Sequence, residues 1–114
     1  MHTLGRFGEQ CAVDYLMSLG HRILKQNYHT RFGEIDVFSQ LDNRLHVVEV
    51  KTLSRAYIPI GYKINRRKRQ RMIHATCLFL DQFNLWSMYV QFDLIIVHNN
   101  QVKHVENCFS LTDV

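Results

Sequence analysis

Residues 34–52 read EIDVFSQLDNRLHVVEVKT, and this stretch decides the fold. Two runs rich in β-branched and apolar residues, 34–40 and 45–52, flank Leu41-Asp42-Asn43-Arg44. Asp-Asn suits the positive φ angles of a tight hairpin turn. With Leu41 opposite Arg44, simple antiparallel pairing makes opposed residue numbers sum to about 85. Asp36 then faces Glu49, Glu34 faces Lys51, Val37 faces Val48 and Ile35 faces Val50. Period two puts Glu34, Asp36, Glu49 and Lys51 on one face, and Ile35, Val37, Val48 and Val50 on the other, apolar one.

Like charges opposed across strands cost up to about 1 kcal/mol even when exposed. An Asp36–Glu49 pair therefore calls for a cation. Lys51 is one candidate. A divalent metal is the other, because hard ions such as Mg²⁺ are held by one or two carboxylates completed by waters and substrate phosphates. The plain alternative is a solvated sheet face of alternating charge.

Outward from the hairpin, residues 4–19 read as a helix stopped by Gly20. Leu4, Phe7, Cys11, Ala12, Tyr15, Leu16 and Leu19 form its apolar arc. Gly8 falls within that arc, where a missing side chain lets another element come close, and Glu9 falls at its edge. Residues 21–28 read as a strand, and 29–32 as a loop closed by Gly33. Residues 53–64, with Pro59 and Gly61, read as a second loop. Residues 65–83 read as a helix capped by Asn65, with Met72, Ile73, Thr76, Leu80 and Phe83 as its stripe and Cys77 and Phe79 beside it. A strand at 90–98, a turn at Asn99-Asn100 and a strand at 101–105 follow, with 107–114 as a packed irregular end. Helix, three strands, helix, two strands predicts an α/β fold, a central mixed sheet flanked by helices.

The chain has 114 residues, 46% hydrophobic and 21% charged, with one Pro and five Gly. That is one folded domain, 1–114, and neither a disordered nor a collagen-like chain. No apolar run is long enough to span a membrane, and the N-terminus lacks the apolar core of an export signal. Cys11, Cys77 and Cys108 form no CxxC pair and read as buried thiols of a reducing, cytoplasmic compartment.

Fourteen Lys and Arg against ten Asp and Glu give a net charge of +4. Six of those cations, Lys63, Arg66, Arg67, Lys68, Arg69 and Arg71, stand within nine residues at the start of the second helix. There they oppose the helix dipole. A polyanion would relieve the repulsion, so phosphate-backbone contact is the reading preferred over a solvated turn. Such contact gives affinity without base readout. The seven His show no metal-ligand spacing and read as surface or core residues. Asp93, in an apolar strand, reads as a hydrogen-bonded structural carboxylate, and Trp86 and Tyr89 as cover for the core edge or as a surface on which a base stacks.

The ordered set Gly5-Arg6-Phe7-Gly8-Glu9, Ala12, Tyr15-Leu16, Gly20, Asn27, Gly33-Glu34-Ile35-Asp36, Val48-Glu49-Val50-Lys51-Thr52, Lys68 and Arg71 resembles the YraN family of bacterial proteins. Asp36 with Glu49-Val50-Lys51 is similar to the PD-(D/E)XK nuclease signature, and the layout resembles archaeal Holliday-junction resolvases. The chain departs from the family pattern at Leu53-Ser54 and at Gln91, where arginine is common. The resemblance implies a restriction-endonuclease-like fold and a metal-dependent endonuclease acting on DNA, branched DNA included. It implies Mg²⁺ or Mn²⁺ on Asp36, Glu49 and the Val50 carbonyl, with Lys51 beside the attacking water and Glu9 on a metal-bound water or second metal. Glu34 is expected to be structural, paired with Lys51 or a loop arginine. Two other readings stay open: a non-catalytic nucleic-acid-binding module of the same fold, and a protein-interaction adaptor. The expected partner is nucleic acid, DNA first, with a homodimer allowed and no membrane.

Overall fold

The structure is a computed structural model, and it describes residues 4–54 and 62–111. Helix α1 (Leu4–Ser18) leads into strands β1 (Arg22–His29), β2 (Glu34–Leu41) and β3 (Arg44–Leu53). Helix α2 (Arg66–Phe83) and strands β4 (Tyr89–His98) and β5 (Gln101–Phe109) complete the chain. The sheet order is β1-β2-β3-β4-β5. Every neighbouring pair is antiparallel except β3 and β4, which run parallel with α2 as their crossover. The fold is α/β with a mixed sheet, as the element order predicts. Pro59 and Gly61 lie outside the described residues.

The two faces carry two cores. Ala12, Val13 and Leu16 of α1 bury Val37, Val48, Ile95 and Val97. Met72, Ala75, Phe79 and Leu80 of α2 bury Phe38, Leu45, Val47, Leu94 and Ile96, and the rings of Phe38 and Phe79 stack at 3.8 Å. Fully burying one such side chain is worth about 1.5–3 kcal/mol, so both helices are fixed by their apolar faces. Asn65 caps α2 by accepting from the Lys68 amide at 2.8 Å. Gly8 is buried against β3, and a Cβ there would overlap the Thr52 hydroxyl. The close approach expected at that glycine is present.

The hairpin register is the expected one from Leu41↔Arg44 to Val37↔Val48. The turn uses less positive φ than Asp-Asn implied, since Asp42 (φ 54°) adopts it and Asn43 does not. Beyond Val37 the pairing stops, and the Asp36 carboxylate accepts from the Val50 N–H at 2.8 Å in place of a strand carbonyl. Strand alternation breaks at the same point. Ile35 packs with the α2-side core, not with Val37 and Val48. Glu34 pairs with His29, its neighbour across the β1–β2 ladder, at 2.8 Å, and not with Lys51 or an arginine.

Other expectations are corrected at the edges of the fold. Phe7 and Phe83 are exposed at the rims of their helical arcs, and Leu19 is exposed just past the end of α1. The buried arc of α1 takes in Val13 instead. The C-terminal segment is not irregular up to Phe109. β5 continues through a register shift, taken up by Asn107 at φ 52°. Trp86 and Tyr89 stand in solvent, and the Trp86 indole N–H donates to Asp81. The three cysteines are free and half-buried rather than fully enclosed.

Candidate functional site

Where β2 and β3 part, three acidic side chains meet. Asp36 leaves β2 at the end of the ladder. Its carboxyl is in hydrogen-bonding contact with Glu49 of β3 on one side and with Glu9 of α1 on the other. Glu9 reaches this point because the preceding Gly8 lets α1 lie directly on β3. Asn27 is opposite Asp36 in the β1–β2 register, between the Gln26–Val37 and Tyr28–Ile35 pairs. It takes a left-handed φ of 52°, and its amide nitrogen donates to both Glu9 oxygens at 3.2 and 3.3 Å.

The electrostatics follow from crowding. Glu49 is buried, with 7% of its surface exposed. Burial first, then the Asp36 charge, pushes its carboxyl up to about 7, although Lys68 pulls the other way. Burial and Asp36, with Glu34 behind them, also raise Glu9 against the pull of Arg6. Lys68 forms an ion pair with Glu49. Burial alone would lower its ammonium, but the hydrogen bond and charge of Glu49, aided by Asp36, outweigh that and raise it.

The hairpin argument therefore brings Asp36 and Glu49 together, while the cation it nominated is not the one that touches them. Lys51 is exposed, its ammonium 5.9 Å from the centre of the Tyr62 ring. Lys68 holds Glu49 from the first turn of α2. Val50 lies between Glu49 and Lys51 with its N–H tied to Asp36. The donor set is hard oxygen throughout, which suits Mg²⁺ or Mn²⁺. A cation at Glu49 would have to displace the Lys68 ammonium.

The basic cluster is divided. Lys63, Arg66 and Arg67 are exposed and have no ion pair among the described residues. Arg69 lies over the Phe109 ring at 6.0 Å. Arg71 donates from Nε to the Phe32 carbonyl at 2.7 Å, lying across Gly33. A cleft of about 600 Å³ opens between the β1–β2 loop and the start of α2, with Gly33, Asn65, Arg67, Lys68 and Arg71 on its walls. Lys68 thus joins the carboxylates to a basic cleft.

Sequence reasoning missed two things. It counted Lys68 among phosphate contacts, because a helix docks with a roll that periodicity leaves undetermined. It also treated the histidines as scattered. Asp93 is fully buried and does have the structural hydrogen bonds expected of it, but two of its donors are His46 and His104, each at 2.8 Å. The available signal was that His46 shares a face with Val48.

A small α/β protein with a mixed five-stranded sheet and a row of three carboxylates beside a basic cleft is the class that fold and site define. The profile of the uncharacterised protein family UPF0102 matches residues 8–97. The chain is 35% identical over 108 residues to a UPF0102 protein of Sulfurihydrogenibium sp. (strain YO3AOP1), covering 94% of each. It is 35% identical over 106 residues to one of Campylobacter fetus, covering 93% of each. A UPF0102 protein of Clostridioides difficile is 36% identical over 110 residues, covering 92% of this chain and 95% of that one. The chain belongs to the UPF0102 family, the YraN family that its motifs resemble.

Proposed function

We propose that this protein is a metal-dependent endonuclease that hydrolyses phosphodiester bonds in DNA, branched DNA included. The carrying observation is the contiguous row Glu9–Asp36–Glu49, joined through the Lys68–Glu49 ion pair to a cleft lined by the cationic start of α2. Asp36 and Glu49, with the Val50 carbonyl, would hold Mg²⁺ or Mn²⁺, and Glu9 would accept a proton or orient a water from the far side of Asp36. When bound, the ion supplies Lewis-acid activation of water and phosphate. Lys63, Arg66 and Arg67 supply backbone contacts without sequence readout. Lys51 and Lys68 place positive charge where the transition state gains negative charge. The three free thiols suit a reducing, cytoplasmic setting.

One observation favours a second reading. Lys68 already neutralises Glu49, as a non-catalytic binding module of this fold would allow. Duplex, single-stranded, flapped and four-way DNA, incubated with Mg²⁺ or Mn²⁺ beside Asp36→Asn, decides between the two. Cleavage abolished in the variant supports the endonuclease. Salt-dependent binding without cleavage supports the module.

A further inference from the structure

On the opposite face of the sheet, beneath α1, lies a second polar cluster. His46 of β3 and Asp93 of β4 are buried, at 3% and 0% exposure. Glu106 of β5 is exposed beside them. One ligand atom from each of the three lies within 4.8 Å of the others. Three adjacent strands thus contribute one donor apiece.

We propose that His46, Asp93 and Glu106 form a binding site for a Zn²⁺-class transition-metal ion. The cation ties the edge strand β5 to the sheet centre. Three features carry the assignment besides proximity. First, the cluster holds two carboxylates, and neither has an ion pair with a lysine or arginine among the described residues. Second, a single atom already spans them. The Gln91 Nε2 donates to Asp93 Oδ1 at 2.8 Å and to Glu106 Oε1 at 3.4 Å, and the Gln91 side-chain Oε1 accepts from Arg44 Nη1 at 3.0 Å. Third, a cleft of about 330 Å³ lined by Arg44, His46, Gln91 and Glu106 gives an entry path and room for a water.

The ligand chemistry selects the metal. Imidazole nitrogen with carboxylate oxygen suits Zn²⁺ and its neighbours, whereas Mg²⁺ and Ca²⁺ prefer oxygen alone. His46 Nδ1 and Asp93 Oδ2 are 2.8 Å apart. Neighbouring ligands of a tetrahedral Zn²⁺ with bonds of about 2.0–2.1 Å are about 3.3 Å apart. The metal takes the place of the imidazole proton after a movement of about 0.5 Å. His104 keeps its Nε2 donor on Asp93 Oδ2 at 2.8 Å and accepts on Nδ1 from the Tyr15 hydroxyl at 3.2 Å. That chain fixes the carboxylate orientation in the way outer-sphere partners do at metal sites.

The test is calorimetric titration of the EDTA-stripped full chain with Zn²⁺, and with Co²⁺ followed by visible absorption. One equivalent should bind at this site, beside any uptake by the carboxylate row that Asp36→Asn removes, and Glu106→Gln should weaken it by at least about tenfold. Glu106 is exposed, so this variant should fold even where His46→Asn does not. Asp36→Asn should leave the Zn²⁺ affinity of this site unchanged, which separates it from the carboxylate row. Zn²⁺ should also raise the urea midpoint of wild type more than that of Glu106→Gln. The proposal is overturned if wild type binds no Zn²⁺ or Co²⁺. Binding untouched by Glu106→Gln but abolished by Asp36→Asn or Cys108→Ser also overturns it.

Discussion

Glu49→Gln should make the metal-free protein more stable, and the gain should depend on pH. In the folded chain the Glu49 carboxyl sits at about 7 against an ordinary value of 4.5, through burial and then the Asp36 charge. The native state therefore holds a proton that the unfolded chain releases between those values. Stability falls as pH rises wherever the native state binds more protons. At about 1.4 kcal/mol per tenfold, the interval corresponds to about 3 kcal/mol, complete above about pH 8 and absent below about pH 4. Glutamine imitates the protonated side chain and keeps a donor for Asp36. It gives up the Lys68 ion pair, but Lys68 is half exposed and can return to water at a cost below about 1 kcal/mol. Urea unfolding in EDTA at pH 5, 6, 7 and 8 measures the difference. The expected gain for Glu49→Gln is near zero at pH 5 and about 2–3 kcal/mol at pH 8. A variant less stable than wild type at pH 8, or a gain that does not vary with pH, would refute the crowding argument.

Further outcomes follow from individual side chains. Gly8→Ala should destabilise by about 1–3 kcal/mol, because its methyl would overlap Thr52; thermal melts check this, and an unchanged midpoint would mean α1 does not press on β3. Asn65→Ala should cost about 1 kcal/mol through loss of the α2 cap, read from urea midpoints. Arg66→Ala with Arg67→Ala should weaken DNA binding and flatten its log–log salt slope by about 0.9 for each phosphate no longer neutralised. Arg69→Ala should leave that slope alone and lower stability, since Arg69 lies over Phe109. Lys68→Ala should tighten Mg²⁺ or Mn²⁺ binding in calorimetry if the ammonium competes for Glu49; weaker binding would show that Lys68 assists the metal instead.

The hairpin was legible because a turn fixes register, and register fixes which side chains converge. Asp36 and Glu49 meet for that reason. The arithmetic failed one residue past Val37, where the strands part and Asp36 turns to the Val50 N–H. Turn geometry says nothing about where a ladder ends. The pairing of His46 with Asp93 was hidden for a related reason: it depends on the parallel β3–β4 register, which is set by how α2 packs and not by any local turn. Helical periodicity located the apolar arcs of α1 and α2. The sheet then covered only part of each, leaving Phe7 and Phe83 at the rims.

The parallel pairing of β3 with β4 has a consequence for the order of assembly. All other neighbouring strands of the sheet are adjacent in sequence, so 4–53 and 89–109 each form by closing short loops. The union of the two halves waits for α2 to bridge them, the slow step expected of non-local pairing. Glu9, Asp36 and Glu49 all belong to the first half, and their cation belongs to α2. In that half Arg6 offsets Glu9, but Glu49 is without its Lys68 partner, so the anionic edge attracts the basic start of α2. Docking is charge-guided, and refolding of the metal-free chain should slow as ionic strength rises.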